Sequence, residues 1–147
     1  MASHDWLVDI FVQSAQEIFS SLGISVQKSG EPVLLSRPPL PHPISIAVSL
    51  HGALEGIACY GMPVSTAEKV AAAMLQGMAE DTSPFESALA QSALAELGNM
   101  ITARAAILLG SNGETCDISV PMVVLDAQKI VAGSSWPQLV VPLTSPL

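Results

Sequence analysis

Charge, aromatic side chains and cysteine are all scarce in this sequence of 147 residues. Only 12% of the residues are charged and 4% are aromatic. Five Lys and Arg against thirteen Asp and Glu leave a formal net charge of −8. A chain with so few cations has no electrostatic footprint for DNA or RNA. It is an equally poor ligand for an anionic membrane surface. A partner with exposed Lys or Arg suits it better. The two cysteines, Cys59 and Cys116, cannot form a disulfide framework. Both lie in apolar segments and are expected to be buried, reduced thiols. The first residues lack a basic stretch followed by an apolar run, so no signal peptide is expected. No run of about 18 apolar residues occurs, so no membrane-spanning helix is expected either, and the cytoplasm is the expected location. His4, His42 and His51 fall in a tail, a Pro-rich loop and a turn, and no metal site is expected from them. HExxH, CxxC, GxSxG and Walker motifs are all missing.

What the sequence has is apolar bulk. Half of its residues are hydrophobic, and its length suits a single domain over residues 1–147 with a real core. Apolar residues recur at helical spacing over 5–22, from Trp6 to Leu22, and Gly23 stops that helix. Residues 24–35 alternate as a strand interrupted near Gly30. Residues 37–43 form a stiff Pro-rich loop. Ile44–Leu50 and Leu54–Tyr60 read as two strands joined at His51-Gly52. Ser65-Thr66-Ala67-Glu68 reads as a capping box that opens a helix running to about Met78, with Val70, Met74 and Leu75 toward the core. A longer helix follows, with Ser83 at the N-cap, Pro84 at the first helical position and Glu86 two residues on. It runs to Leu109 before Gly110, about 26 residues in all and roughly 39 Å long. Short strands are expected at 115–120, 122–125, 129–132 and 138–141. Segregated helices and strands of this kind predict an α+β fold, a mainly antiparallel sheet with two long helices and one shorter helix packed on it.

The second long helix carries the informative residues. At about 100° per residue, Leu94, Leu97, Met100, Ile101 and Leu108 fall on one broad side and are expected to face the core. Ser92, Glu96 and Asn99 gather within about 60° on another side. Ala95, Ala103 and Ala106 surround them. An ordinary solvated helix face would carry Lys and Glu pairs instead. Asn in a helix interior costs about 0.6 kcal/mol relative to Ala, so Asn99 is locally unfavourable. Glu96 and Asn99 stand one turn apart and can contact one partner site together. Taken alone, E-x-x-N on a helix is common. An exposed acid beside a tolerated polar residue, or a charge-poor face packed on another subunit, accounts for it equally well. Arg104 is a misfit near the apolar side, explained only by a stem lying along apolar surface.

Ser92-x3-Glu96-x2-Asn99, followed after 21 residues by Pro121, resembles the signature of the CheC/CheX/FliY chemotaxis phosphatases. The stretch from Ala95 to Thr102 is similar to that family's active-site helix. Cys116-Asp117-Ile118-Ser119-Val120-Pro121 and Lys129-Ile130-Val131 are similar to the strands after it, especially in CheX. The resemblance implies a CheX-like phosphatase that removes phosphate from the aspartyl phosphate of a CheY-like response regulator. Asn99 would position the attacking water and Glu96 would pair with the receiver's Lys. Ser92, Ala95, Ala103 and Pro121 would support or contact the partner, with Pro121 mainly structural. No cofactor is expected on this chain, and Mg²⁺ would belong to the receiver. A homodimer joined at edge strands is also implied. The rival readings are a non-catalytic receiver-binding adaptor and a motor-associated structural module of the same fold. Gln13-x3-Glu17-x2-Ser20 in the first helix repeats the spacing with Ser in place of Asn, and is expected to be an inactive copy.

Overall fold

The structure is a computed structural model that describes residues 2–35, 42–78, 80–125 and 138–146. Its elements run α1 (Ala2–Ser21), β1 (Gln27–Lys28), β2 (Val33–Leu35), β3 (Ile44–Gly52), β4 (Gly56–Met62), α2 (Val64–Leu75), α3 (Ala88–Ser111), β5 (Cys116–Ile118), β6 (Met122–Val124), β7 (Gln138–Val140) and β8 (Leu143–Thr144). Among the described residues every strand pairing is antiparallel. The order of helices and strands and the two long helices with one shorter match the α+β expectation. The loop expected at 37–43 and the strand expected at 129–132 fall wholly or mostly outside the described residues.

β3 organises the fold. It pairs with β4 over Ile44–Leu50, and its other edge takes β5 and β6. Ile44, Ile46, Val48 and Leu50 alternate along β3 and are all buried, which gives it the period-two core face of a half-buried strand. On this face lies α3, flanked by α1 and α2. The main core joins Ile44, Ile46, Met62, Val70, Leu94, Leu97 and Ile101, and a second cluster joins Ile10, Leu50, Ala105 and Leu109. By length and composition α3 is the one helix among the described residues that could cross a membrane. Here it is the central helix of a packed fold, with nine buried residues. Leu94, Leu97 and Ile101 face the core as the periodicity predicts. Met100 and Leu108 are half-buried, and Leu109 takes the core position instead.

Pro121 sits where the edge of β3 changes partner. Between the β5 and β6 ladders, Val48 and Ser49 of β3 stand opposite Ser119, Val120 and Pro121, so the partner strand holds one extra residue. That count defines a β-bulge. Proline suits it, because it has no N–H to give the ladder. Ser119 secures the bulge: its Oγ accepts from Ser49 N at 2.9 Å, and its own N–H donates to Ser49 O at 3.0 Å.

Three local expectations are corrected. The α2 capping box is not made. The helix starts at Val64 with extended Pro63 as N-cap and no side-chain cap, which puts Ser65 and Glu68 inside it. It also stops at Leu75, where Gln76 turns left-handed at φ 49° and donates to Ala72 O. Ser83, Pro84 and Glu86 do not open α3. They make a turn closed by Ser87 N to Ser83 O at 2.9 Å, with Pro84 fully buried and its carbonyl taken by Gln91 Nε2 at 2.9 Å. Ser87 is the N-cap, its Oγ accepting from Ala90 N at 3.1 Å. Finally, Cys59 lies on the outward side of β4 and is exposed, although the strand around its sulfur still raises its thiol above the ordinary range. Cys116 is half-buried, its Sγ within 3.4 Å of Leu54 N.

Gly98 marks a close approach of α3 to the sheet. A Cβ there would run into Ile46 Cγ2, and Ile46 is fully buried and β-branched. Gly98→Ala is therefore expected to destabilise the fold by about 1–3 kcal/mol, as overpacked cores do. A chemical denaturation midpoint that does not fall would contradict this packing.

Candidate functional site

The candidate site is the side of α3 turned away from β3. Gly98 touches the sheet, and Glu96 projects about 200° around the helix from it. Ser92 and Glu96 are exposed and Asn99 is half-buried. The three share one ridge, and among the described residues none of their side chains is engaged in a hydrogen bond or ion pair. Ala95 and Ala103, both half-buried, flank them and keep the ridge low. Leu89 and Ile107, 53% and 60% exposed, continue the ridge beyond the polar group at either end. No sequence reading singled out these two, because each is an ordinary apolar residue in an apolar helix.

Pro121 does not join the polar group by any described contact. Its place is the β5–β6 bulge, consistent with a structural role. Among the described residues no cluster of His, Cys, Asp or Glu could hold a metal ion. The arrangement offers one carboxylate and one neutral carboxamide, a turn apart, on an accessible ridge. An amide both donates and accepts without titrating, and a carboxylate pairs with a cation.

Arg104 is explained by α1. Its Nε donates to Glu17 Oε2 at 2.6 Å, and Gln13 Nε2 donates to Glu17 Oε1 at 3.1 Å. Arg104, foremost, and then Gln13 hold the Glu17 carboxyl below its usual range. Both oxygens of the acid in the α1 copy are thus engaged, whereas Glu96 is not. The pairing joins residues 87 positions apart, so helical periodicity could not show it.

The turn beneath Asn99 has polar anchoring of its own. Thr102, fully buried, donates its hydroxyl to Gly98 O at 2.8 Å, and its Oγ1 lies 2.7 Å from Tyr60 Oη of β4. A Thr inside a helix is the signal that could have found it, since Thr hydroxyls seek the carbonyl four residues back. The Tyr partner was not visible.

Comparison with known proteins agrees with this fold. The model of the family described as chemotaxis phosphatase CheX matches residues 44–144. The CheY-P phosphatase CheX of Thermotoga maritima is 35% identical over 119 residues, covering 80% of this chain and 74% of that protein. A chemotaxis protein CheX from Desulfovibrio desulfuricans superposes with a TM-score of 0.75 at 19% identity, covering 94% of this chain and 90% of its own. CheX in the CheX–CheY–BeF3–Mg²⁺ complex from Borrelia burgdorferi gives 0.70 at 23% identity, covering 95% and 89%. With a matched family model over most of its length and a relative above 30% identity, this chain belongs to the family of the chemotaxis phosphatase CheX.

Proposed function

We propose that this protein removes phosphate from the aspartyl phosphate of a CheY-like response regulator, using Glu96 and Asn99 as its working pair. The observation that carries the reading is the α3 ridge, in a member of a phosphatase family, that holds an exposed carboxylate and a half-buried carboxamide, both unengaged among the described residues. The Thermotoga relative is named a phosphatase of CheY-P, and the Borrelia complex joins its CheX to CheY. In the proposed complex the ridge enters the receiver's pocket. Asn99 accepts a hydrogen bond from a water and donates one to orient it, in line with the phosphorus. The water oxygen forms the new P–O bond, the bond to the aspartyl oxygen breaks, and inorganic phosphate leaves with the aspartate restored. Glu96 pairs with a receiver Lys and fixes the pose. Positioning and charge stabilisation are what phosphoryl transfer rewards. The metal neutralising the phosphoryl oxygens belongs to the receiver, as Mg²⁺ accompanies CheY in the Borrelia complex. Ser92, Ala95 and Ala103 line the approach, and their small side chains let the helix come close.

The test is phosphate release from a panel of phosphorylated receivers. The reading requires at least one receiver whose dephosphorylation accelerates. Binding without acceleration would make the protein an adaptor instead. The α1 copy contributes no second site, because Arg104 and Gln13 occupy the oxygens of Glu17 and Ser20 offers no carboxamide. Glu17→Gln is thus expected to keep the rate within about twofold, the scale of an exposed ion pair. A loss comparable to that of an active-helix variant would give α1 a catalytic part.

The same reading includes a cytoplasmic homodimer. Among the described residues β4 ends the four-stranded sheet on one side, and such an edge can template a second strand. Sedimentation at micromolar concentration is expected to give twice the 15.2 kDa chain mass. A monomer there would contradict the dimer without touching the α3 site.

A further inference from the structure

One cross-strand pair grips α3 at the turn that carries Asn99. Ile46 of β3 and Tyr60 of β4 stand opposite each other in the sheet. Ile46 abuts the bare Cα side of Gly98, where a Cβ would clash. Tyr60 reaches the next turn, its Oη 2.7 Å from Thr102 Oγ1. The single hydroxyl proton of Thr102 goes to Gly98 O at 2.8 Å, so Tyr60 is the donor to Thr102. The Gly98 carbonyl belongs to the peptide unit that links Gly98 to Asn99. A chain of two hydroxyls therefore runs from the sheet to the backbone of the proposed water-positioning residue. Burial pushes the Tyr60 phenol up to about 12, so the donor keeps its proton across the physiological range.

We infer that Tyr60 and Thr102 are positioning residues for Asn99: their hydroxyls, seated on the Ile46–Tyr60 pair, hold the Gly98–Asn99 peptide in one place and so fix the pose of the carboxamide. The inference rests on the proposed role of Asn99, and it assigns two residues outside the signature to the same site. Neither touches substrate. Each acts through the backbone, and misplacement of a reacting group by about 1 Å can cost as much as 100-fold in rate.

The experiment compares Thr102→Val, Thr102→Ser and Tyr60→Phe with the parent protein, all checked for folding by circular dichroism. Val keeps the volume and shape of Thr102, and Phe keeps the ring of Tyr60. For dephosphorylation of the receiver, Thr102→Val is expected to lower kcat about tenfold with KM changed less than about twofold, Tyr60→Phe to lower kcat about threefold, and Thr102→Ser to restore it. The side-chain NH2 of Asn99, followed by NMR relaxation in the free protein, is expected to become more mobile in Thr102→Val and Tyr60→Phe but not in Thr102→Ser. A folded Thr102→Val or Tyr60→Phe protein with unchanged Asn99 mobility and unchanged kcat overturns the inference. So does a Thr102→Ser protein as impaired as Thr102→Val, since the methyl rather than the hydroxyl would then matter. If the parent protein accelerates no receiver, the proposed activity fails, and the NMR comparison still decides the positioning.

Discussion

Asn99→Ala is expected to slow receiver dephosphorylation by at least about 100-fold, a loss of about 2.7 kcal/mol of transition-state stabilisation. The effect should fall on kcat, because the carboxamide is proposed to orient the attacking water and not to hold the receiver. Stability should not fall with it. Asn99 is half-buried and, among the described residues, is engaged in no side-chain hydrogen bond. Ala is also the better helix former by about 0.6 kcal/mol. The variant should therefore melt at or slightly above the parent temperature while losing activity, and that pairing separates chemistry from folding. Asn99→Asp should be no better than Ala, since a carboxylate repels the phosphoryl group it would face. Stopped-flow measurement of receiver dephosphorylation under saturating conditions checks both. An Asn99→Ala protein with the parent kcat would remove Asn99 from the mechanism.

Glu96→Ala is expected to act on the other half of the kinetics. A charge-assisted pair with a receiver Lys is worth about 1.5–3 kcal/mol, so affinity for the receiver should fall about 10- to 100-fold. Glu96→Lys should fall further, because it sets like charges together in the complex. Neither substitution should disturb the fold by more than about 0.5 kcal/mol, since Glu96 is exposed. Titration of the labelled receiver by fluorescence anisotropy at two salt concentrations checks this. The parent interaction should weaken as salt rises, and the Glu96→Ala interaction should weaken less. Unchanged affinity in Glu96→Ala would break the proposed Lys pairing while leaving Asn99 standing.

The placement of Glu96 and Asn99 on one outward ridge of a long helix was legible because α-helical periodicity is a local property. Leu94, Leu97 and Ile101 mark the inner side, and the polar residues fall opposite. The antiparallel pairing of β3 and β4 was legible from the short turn at His51-Gly52 and from the segregation of helices and strands. What failed to show in the sequence is decided by tertiary partners. Ser83 and Ser87 compete as N-caps for α3, and the burial of Pro84 with Gln91 on its carbonyl settles the choice. Arg104 looked misplaced until α1 brought Glu17 alongside it. Gly98 carried no signal of its own in the sequence, and only the approach of Ile46 shows why no larger residue fits. The extra residue at Pro121 becomes a bulge only once both ladders of β3 are laid beside it.

The acid and the amide stand on a helix seated against the sheet at Gly98, and in the proposed complex the partner supplies the phosphate, the metal and the lysine. The most direct measurement is a crystal structure of this protein with an accelerated receiver held in its phosphoryl-like state by beryllofluoride and Mg²⁺. The account predicts α3 laid across the receiver's pocket, the Asn99 carboxamide within about 3 Å of an in-line water, and the Glu96 carboxylate within about 3 Å of a receiver Lys amine. A complex in which the receiver docks on another face, with Glu96 and Asn99 left in solvent, would contradict it.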